Sequence, residues 1–181
     1  TMNEVMRPTV EGMKKDGHVY TGFLYAGLMI DAQGQPKVIE FNCRFGDPET
    51  QPIMMRLKSS LVDLVEAGIA GNLPTEAQWD ERKTVGIVLA SKGYPETSSK
   101  DDVIYGLDTE MTDAKVFHAG TAVNANGEIV TAGGRVLCVT ALGNTIGEAQ
   151  AKALELCEKV TFDGVQYRKD IGYRAIAREQ A

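Results

Sequence analysis

The sequence predicts an α+β fold, because strands that form hairpins and helices with clear start signals both occur along the chain. Two stretches, Lys37–Asn42 and Thr84–Ala90, are rich in Val, Ile, Leu and Phe, which favour strands. One helix has a clear start, since Thr145 precedes Glu148 by three residues, the spacing of a capping box. A chain of 181 residues with 43% apolar and 24% charged residues is long enough for one or two domains with their own cores.

A β-hairpin is predicted in the first part of the chain. Val19–Ile30 is apolar and aromatic and predicts a strand, the polar residues 31–36 predict a turn, and Lys37–Asn42 completes the pair. Gly22 and Gly27 lie inside the first of these strands. Glycine in a strand permits a bulge or the close approach of another group, so we expect an irregularity there.

Helical patterns flank this hairpin. Residues 5–13 have apolar side chains at helical spacing, which Pro8 should kink or divide into two helices. Pro48 suits the first position of a helix after the hairpin. Ser60 is a candidate N-cap for a further helix, and Gly71 is its predicted end.

The hydrophilic stretch Asn72–Arg82 predicts a boundary between two domains. We expect residues 1–75 to form the first domain, and residues 83–181 to form a β-rich second domain with one long helix from Thr145 to about Val160. A tail, Val165–Ile176, alternates only loosely. The shorter strand candidates of the second domain are Val103–Tyr105, Ala114–Phe117, Thr121–Asn124, Glu128–Thr131 and Arg135–Ala141, with a hairpin turn at Asn124–Gly127.

Charge and composition exclude several classes of protein. A net charge of −6 argues against general nucleic-acid binding, which requires a basic surface. No apolar run approaches the roughly 20 residues that span a bilayer. Cys43, Cys138 and Cys157 form no C-x-x-C pair, so we expect free buried thiols in a reducing cytosol and a cytoplasmic protein.

The most informative stretch is Glu40–Glu49, which surrounds one sharp turn with polar side chains. Alternation along the strand predicts that Glu40, Asn42 and Arg44 share one face and that Cys43 lies on the other. Carboxylate and amide oxygens on one face suit a hard cation such as Mg²⁺, and an arginine beside them suits a phosphate. From alternation alone, surface polar residues on a half-buried strand are an equally good interpretation.

Five segments resemble the phosphoribosylamine–glycine ligase family of the ATP-grasp superfamily. The segments are Arg44–Gln51, with the sequence RFGDPETQ, and then Tyr20–Met29, Ala90–Pro95, Gly133–Val136 and Tyr167–Gly172. The resemblance covers nearly the whole chain. It implies the C-terminal part of an ATP-grasp domain followed by a small β-rich domain. Because members of this family are more than twice as long and this chain opens at Thr1, we expect a C-terminal fragment that lacks the N-terminal part of the same polypeptide.

The resemblance also implies roles for individual residues. Glu40 and Asn42 would bind Mg²⁺ or Mn²⁺, and Arg44 would be catalytic by stabilising the transferred phosphoryl group or the acyl phosphate. The residues Asp47, Pro48 and Glu49 would line the substrate pocket, although the two carboxylates could also cap a helix. Lys92 and Arg135 are weaker candidates for contact with the active-site cleft, and His18 and His118 receive no role.

The activity that the resemblance implies is the ATP-dependent joining of glycine to 5-phosphoribosylamine through a glycyl phosphate, a step of purine synthesis. The expected partners are therefore ATP, glycine and 5-phosphoribosylamine, with no nucleic acid and no membrane. Two alternatives remain open. One is another ATP-grasp carboxylate–amine ligase, and the other is a non-enzymatic binding or assembly module. The fragment by itself is expected to be inactive.

Overall fold

The computed structural model describes residues 1–180 and contains helices and antiparallel strands, so the predicted α+β fold is confirmed. The chain begins with a π-helical turn at Met2–Met6. The elements that follow are α1 (Arg7–Lys15), β1 (Tyr25–Ile30), β2 (Pro36–Asn42), α2 (Thr50–Arg56), α3 (Leu61–Ile69), β3 (Lys83–Ala90), β4 (Ala114–His118), β5 (Thr121–Val123), β6 (Ile129–Thr131), β7 (Arg135–Gly143), α4 (Ile146–Cys157) and α5 (Tyr173–Glu179).

Two compact units share the chain, and they are interleaved in sequence. The first unit contains residues 1–47 and 57–78, and the second contains residues 48–56 and the chain from Trp79 onward. The helix α2 therefore belongs to the second unit, although it follows the hairpin of the first. The predicted division into 1–75 and 83–181 stays a prediction about the domains.

The hairpin of the first unit is formed by β1 and β2, which pair antiparallel with a register shift between Gly27 and Leu28. The predicted bulge is therefore present. The predicted strand over 19–30 is wrong for residues 19–24, since β1 begins only at Tyr25. Gly22 has a φ of +143°, which is outside the strand region, and the Tyr20 hydroxyl donates to the Phe23 carbonyl, so this segment makes a local turn instead.

The helices of the first unit begin at the proline and at the cap residue that the sequence analysis identifies. Pro8 lies in the first turn of α1, where a missing N–H costs nothing, so it opens a helix rather than kinking one. The Ser60 hydroxyl accepts a hydrogen bond from the Asp63 backbone N–H at 3.2 Å, which confirms the N-cap of α3. Gly71, with a φ of +74°, follows the end of that helix.

Among the described residues, every fully buried apolar side chain lies in the second unit. In the hairpin of the first unit, large apolar side chains remain exposed instead. Met29 is 60% exposed, Ile30 is 56% exposed and Ile39 is 65% exposed. Because an isolated two-stranded hairpin is at best marginally stable, the first unit lacks within itself the burial that would hold this hairpin.

A three-stranded antiparallel sheet in the order β3-β7-β4 organises the second unit. The helices α4 and α2 both pack against it, and Gly86 leaves room for α2, because a Cβ there would lie 2.9 Å from Pro52 Cγ. The core residues with no exposed surface are Ile87, Leu89, Val136, Leu137, Val139, Ala141, Ala149, Ala153 and Leu156.

The helix α4 has the predicted start. The Thr145 hydroxyl accepts from the Glu148 N–H at 3.1 Å, and the Glu148 carboxylate accepts from the Asn144 N–H at 2.8 Å. The helix ends at Cys157 rather than near Val160, since the Val160 N–H bonds to the Cys157 carbonyl in a tighter turn. The side chain of Val160 is nevertheless buried, which explains its apolar character.

The sequence does not predict α5, which occupies part of the loosely alternating tail. This helix begins after Gly172, whose φ is +87°. The Glu179 carboxylate on α5 accepts a hydrogen bond from the Ile146 N–H at 2.8 Å. The last helix therefore helps to satisfy the N-terminus of α4.

The small hairpin of β5 and β6 has its predicted turn. The Asn124 side-chain oxygen accepts from the N–H groups of Asn126 and Glu128, and Gly127 has a φ of +82°. The predicted strand Val103–Tyr105 is wrong. Val103 bridges to β6 and Tyr105, two residues later, bridges to Thr161, so the segment pairs with different partners and no ladder forms.

Two expectations from composition concern cysteines and membranes. Cys138 and Cys157 are buried as predicted, and burial raises the pKa of the Cys157 thiol to about 12. The prediction is wrong for Cys43, which is exposed because it follows the last residue of β2. Within residues 1–180, no helix is long and apolar enough to cross a bilayer.

Ion pairs connect three parts of the second unit. The Arg82 guanidinium donates to both carboxylate oxygens of Asp80, at 3.0 and 2.8 Å, and to Asp113 at 2.8 Å. The Lys152 ammonium of α4 lies 3.7 Å from the same Asp113 carboxylate. Arg82 holds the pKa of Asp113 below its ordinary value, chiefly because its hydrogen bond stabilises the ionised carboxylate and also because of its positive charge.

We expect Asp113→Asn to destabilise the second unit at pH 7 and to matter less in acid. Asn tolerates the φ of +63° found at this position, so the change removes charge without adding backbone strain. The lowered pKa contributes stability above the unfolded pKa, and this contribution disappears as the pH falls below about 4. Urea unfolding followed by Trp79 fluorescence at pH 7 and pH 3 measures the difference.

Asp108→Asn is the matched control, because it removes an exposed carboxylate that lies in a loop of the same unit. It should change the unfolding free energy little at either pH. If Asp113→Asn lowers the unfolding free energy by the same amount at pH 7 and at pH 3, the ion-pair explanation is contradicted.

Candidate functional site

Glu40 and Asn42, the predicted metal ligands, lie side by side near the end of β2. The Asn42 side-chain amide donates to the Glu40 carboxylate with a distance of 3.0 Å between Nδ2 and Oε1. This contact confirms that the two side chains share a face of the strand. Glu40 is exposed and Asn42 is half-buried, so the pair is open to a ligand from solvent.

Gly27 gives the Glu40 side chain its room. The two residues are cross-strand partners, and a Cβ built on Gly27 would lie 3.0 Å from Glu40 Cγ. Any larger residue would therefore push the carboxylate away from its position beside Asn42. The sequence predicts an irregularity at Gly27. It does not predict that Gly27 leaves space for the Glu40 side chain, because that depends on which residues of the two strands face each other.

Arg44 lies beyond the regular strand. Because β2 ends at Asn42 and the chain bends at Cys43 and Arg44, alternation does not determine the direction of the arginine side chain, and its common face with Glu40 and Asn42 stays a prediction. Its guanidinium is exposed and donates to the Phe45 carbonyl at 3.0 Å. Its catalytic role stays a prediction.

A small aromatic cluster holds the bend that follows β2. The rings of Phe23 and Phe45 lie 4.4 Å apart between centroids and are tilted by 39°. The Tyr20 hydroxyl donates to the Phe23 carbonyl, and a hydrogen bond with the Cys43 thiol raises the pKa of Tyr20. The sequence analysis assigns no role to Tyr20 and Phe23, although both lie in a segment that carries the family resemblance.

The predicted substrate residues fall at the boundary between the two units. Asp47 is an exposed residue at the end of the first unit, whereas Pro48 and Glu49 begin the second. Pro48 lies in a turn before α2, so the predicted first helical position is two residues too early. The Glu49 carbonyl accepts from the Ile53 N–H at 3.2 Å, and its exposed carboxylate lies at the helix start.

Lys92 and Arg135 lie near one end of the sheet in the second unit. Arg135 pairs with Ala90 across the sheet, and the Ser91 N–H donates to the Gly134 carbonyl at 2.9 Å, so the two loops adjoin. Both cationic side chains are exposed. Their contact with a substrate stays a prediction.

The donor set on β2 suits a magnesium-like cation that a substrate helps to bind. Within residues 1–180, no three His, Cys, Asp or Glu side chains cluster as a metal site. Glu40 and Asn42 offer one carboxylate and one amide oxygen. Mg²⁺ commonly binds one or two protein carboxylates, while waters and substrate phosphates complete its octahedral shell. The residues therefore fit such a cation, with a coordination shell that the protein fills only in part.

Two family models match the chain. The model described as phosphoribosylglycinamide synthetase, ATP-grasp (A) domain, matches residues 1–50, and the one described as its C domain matches residues 84–174. The proteins named phosphoribosylamine–glycine ligase in Yersinia pestis and Pseudomonas aeruginosa are each 62% identical to it, over 179 and 181 residues. The chain spans 42% of the length of these relatives, although the matches cover 98% and 99% of the chain itself.

Solved structures agree in fold. The phosphoribosylamine–glycine ligase of Thermotoga maritima superimposes with a TM-score of 0.78 and is 40% identical, and the match covers 94% of this chain and 42% of that one. The N5-carboxyaminoimidazole ribonucleotide synthetase of the same organism has a TM-score of 0.60 at 18% identity, covering 88% of this chain and 40% of that one. The latter likeness concerns the fold alone.

We expect Cys43→Ala to lower the pKa of the Tyr20 phenol toward its ordinary value of about 10. The hydrogen bond between thiol and phenol is the main cause of the raised pKa, and the alanine removes it. Ultraviolet titration of tyrosinate formation, with the curve of Tyr20→Phe subtracted, measures this phenol alone. Cys43→Ser keeps a hydrogen-bonding group and should keep the pKa raised. If the wild type, Cys43→Ala and Cys43→Ser have the same Tyr20 titration curve, the hydrogen bond between Cys43 and Tyr20 is contradicted.

Proposed function

Because the chain belongs to the phosphoribosylglycinamide synthetase family, we propose that it is the C-terminal part of a longer phosphoribosylamine–glycine ligase. The proposed reaction joins glycine to 5-phosphoribosylamine at the expense of ATP, in purine biosynthesis. Its support is the 62% identity to relatives that carry the ligase name. The domains would be residues 1–75, from the ATP-grasp domain, and the β-rich residues 83–181, and the protein would be cytoplasmic.

The observation that carries the proposal is the Glu40–Asn42 pair on β2. A carboxylate and an amide that share an exposed strand face, with a glycine opposite, form a small oxygen-rich patch next to an arginine in sequence. Such a patch suits a cation that holds phosphates, which an ATP-dependent ligase requires. The same residues lie within the part of the chain that the ATP-grasp family model matches.

The proposed ligands of Mg²⁺ or Mn²⁺ are the Glu40 carboxylate and the Asn42 side-chain oxygen. A cation bound there would neutralise the phosphates of ATP and favour transfer of the terminal phosphoryl group to a carboxylate. The hydrogen bond holds the two side chains side by side, and the Asn42 amide, which now turns its nitrogen toward Glu40, would have to turn its oxygen toward a bound cation. Gly27 keeps Glu40 in this position.

The proposed role of Arg44 is to stabilise negative charge on the transferred phosphoryl group or on the glycyl phosphate. An arginine presents several donors in a fixed plane, which matches phosphate oxygens. Its hydrogen bond to the Phe45 carbonyl uses only Nη1 of that plane. The aromatic contact between Phe23 and Phe45 fixes the bend on which Arg44 lies, and so limits its movement.

Asp47, Pro48 and Glu49 are the proposed substrate residues. The carboxylates of Asp47 and Glu49 are suited to bind the ammonium group of glycine or the amine of 5-phosphoribosylamine. Glu49 could also stabilise the start of α2, since acidic groups favour a helix N-terminus. Pro48 restricts the backbone between them, because its φ is fixed near −65°.

The two alternatives from the sequence gain no specific support. The structural likenesses to other ATP-grasp enzymes at 18% identity or less concern only the fold, so they favour no different acceptor. A role as a stand-alone binding module would not explain the polar patch on β2. The ligase assignment accounts both for that patch and for the matches over the two halves of the chain.

We expect the 181-residue chain by itself to fold but to have no ligase activity. The matched relatives are more than twice as long, and two protein ligands without the rest of an ATP site leave most of a cation's shell to water. Release of ADP that depends on glycine and 5-phosphoribosylamine is the measurement. The longer polypeptide is the positive control, and turnover by the 181-residue chain alone would contradict this expectation.

In the longer polypeptide, we expect Glu40→Gln to reduce turnover by about 100-fold or more, the scale on which an electrostatic stabiliser acts. The change keeps the side-chain size and removes the charge that would hold the cation. Because Glu40 is exposed, the unfolding free energy should hardly change. Steady-state assays across a range of Mg²⁺ concentrations, together with thermal unfolding, measure both effects.

Lys37→Gln is the matched control, because it removes a charge from an exposed residue of the same strand. Cys43→Ala would not serve as a cavity-forming control, because Cys43 is exposed. Near-normal turnover of Glu40→Gln at all Mg²⁺ concentrations would refute the metal-ligand assignment.

A further inference from the structure

The helix α3 has an apolar surface that extends well beyond the side that it buries. Leu61, Leu64 and Ala67 form its half-buried inner side within the first unit. Three further residues, Val62, Val65 and Ile69, follow one another at spacings of three and four and are 65%, 38% and 77% exposed. Residues at these spacings lie on one face of a helix, so the three form a continuous strip, which we call the outer stripe.

A solvated helix of this size normally exposes polar residues on its outer side. The helix α4 follows this rule, since Glu148 and Glu155 are on exposed positions. The outer stripe of α3 instead exposes three β-branched aliphatic side chains, and removing their exposed apolar surface from water would be favourable. An exposed apolar strip beside the buried side of a helix is typical of a surface that contacts another part of a larger structure.

We propose that the outer stripe is a docking surface for the part of the longer polypeptide that lies outside these 181 residues. This inference rests on the proposed function, because it requires the chain to be part of a longer ligase. The relatives have more than half of their length outside the matched region, which supplies ample chain to cover the stripe. Glu66 borders the stripe on one side, with Asp63 beyond it, so the covering surface should be apolar at its centre and basic at that edge.

A second copy of the chain is a poorer occupant. A symmetric pairing of two stripes would bring the acidic residues Asp63 and Glu66 of each copy toward those of the other, which is repulsive. Three aliphatic side chains also provide far less than the roughly 800 Å² per partner of a stable interface between separate proteins. A covering segment of the same polypeptide needs less area, because association within one chain costs less translational and rotational freedom.

The test compares Ile69→Lys in the longer polypeptide and in the 181-residue chain. A lysine in the last turn of α3 suits the helix dipole and lies three residues after Glu66, so it should not harm an uncovered helix. If the stripe is covered only in the longer polypeptide, the substitution should lower its Tm by about 4 °C or more and shift the Tm of the 181-residue chain by less than about 2 °C. Val65→Lys should behave in the same way.

Ile69→Leu is the control, since it keeps the stripe apolar and should leave both Tm values nearly unchanged. Equal losses in the two proteins would overturn the inference, because the stripe would then be covered within the 181 residues. No loss in either would overturn it too, since the stripe would then be solvated. A longer polypeptide that is dimeric in sedimentation, and that Ile69→Lys makes monomeric, would assign the stripe to a second copy. None of these readouts uses catalysis, so a failure of the ligase assignment would appear separately, in the activity assay.

Discussion

The burial of β7 is the constraint on which the second unit depends. This strand forms hydrogen bonds to β3 on one side and to β4 on the other, and the helices α4 and α2 both pack against it. From Val136 to Gly143 every residue of the strand is buried. A strand buried on both faces has to be apolar almost continuously, and its one buried hydroxyl, that of Thr140, contacts the Cys138 sulfur at 3.5 Å.

The first unit has no comparable strand, and its candidate site lies on its least buried element. The hairpin of β1 and β2 exposes apolar side chains as well as Glu40. What orders the site is therefore local: the pairing of Glu40 with Gly27, its hydrogen bond with Asn42 and the aromatic contact behind Phe45. A binding patch of this kind can be well oriented while the element that carries it has little stability of its own.

The sequence predicts best those elements whose signals are local and strong. The long apolar run of β7, the cap at Thr145 and the cap at Ser60 each specify their element with little help from the rest of the chain. The failures have tertiary causes. Residues 103–105 have the composition of a strand, but they bridge to two different partners. The helix α5 accepts a hydrogen bond from the N-terminus of α4 through Glu179, and no local pattern indicates this contact. In the candidate site, strand alternation correctly places Glu40 beside Asn42. Alternation does not apply to Arg44, because the chain bends after β2.

The interleaving of the two units has a consequence for synthesis on the ribosome. By the time residue 78 has left the exit tunnel, all of the first unit is available to fold. The helix α2 has also been made by then, but its partners β3 and β7 have not, and the last of them ends only at Gly143. During that interval the apolar side chains of α2, such as Ile53, have no sheet to cover them. A chaperone that binds short apolar segments would therefore find a transient target in the middle of a chain whose first unit is already complete.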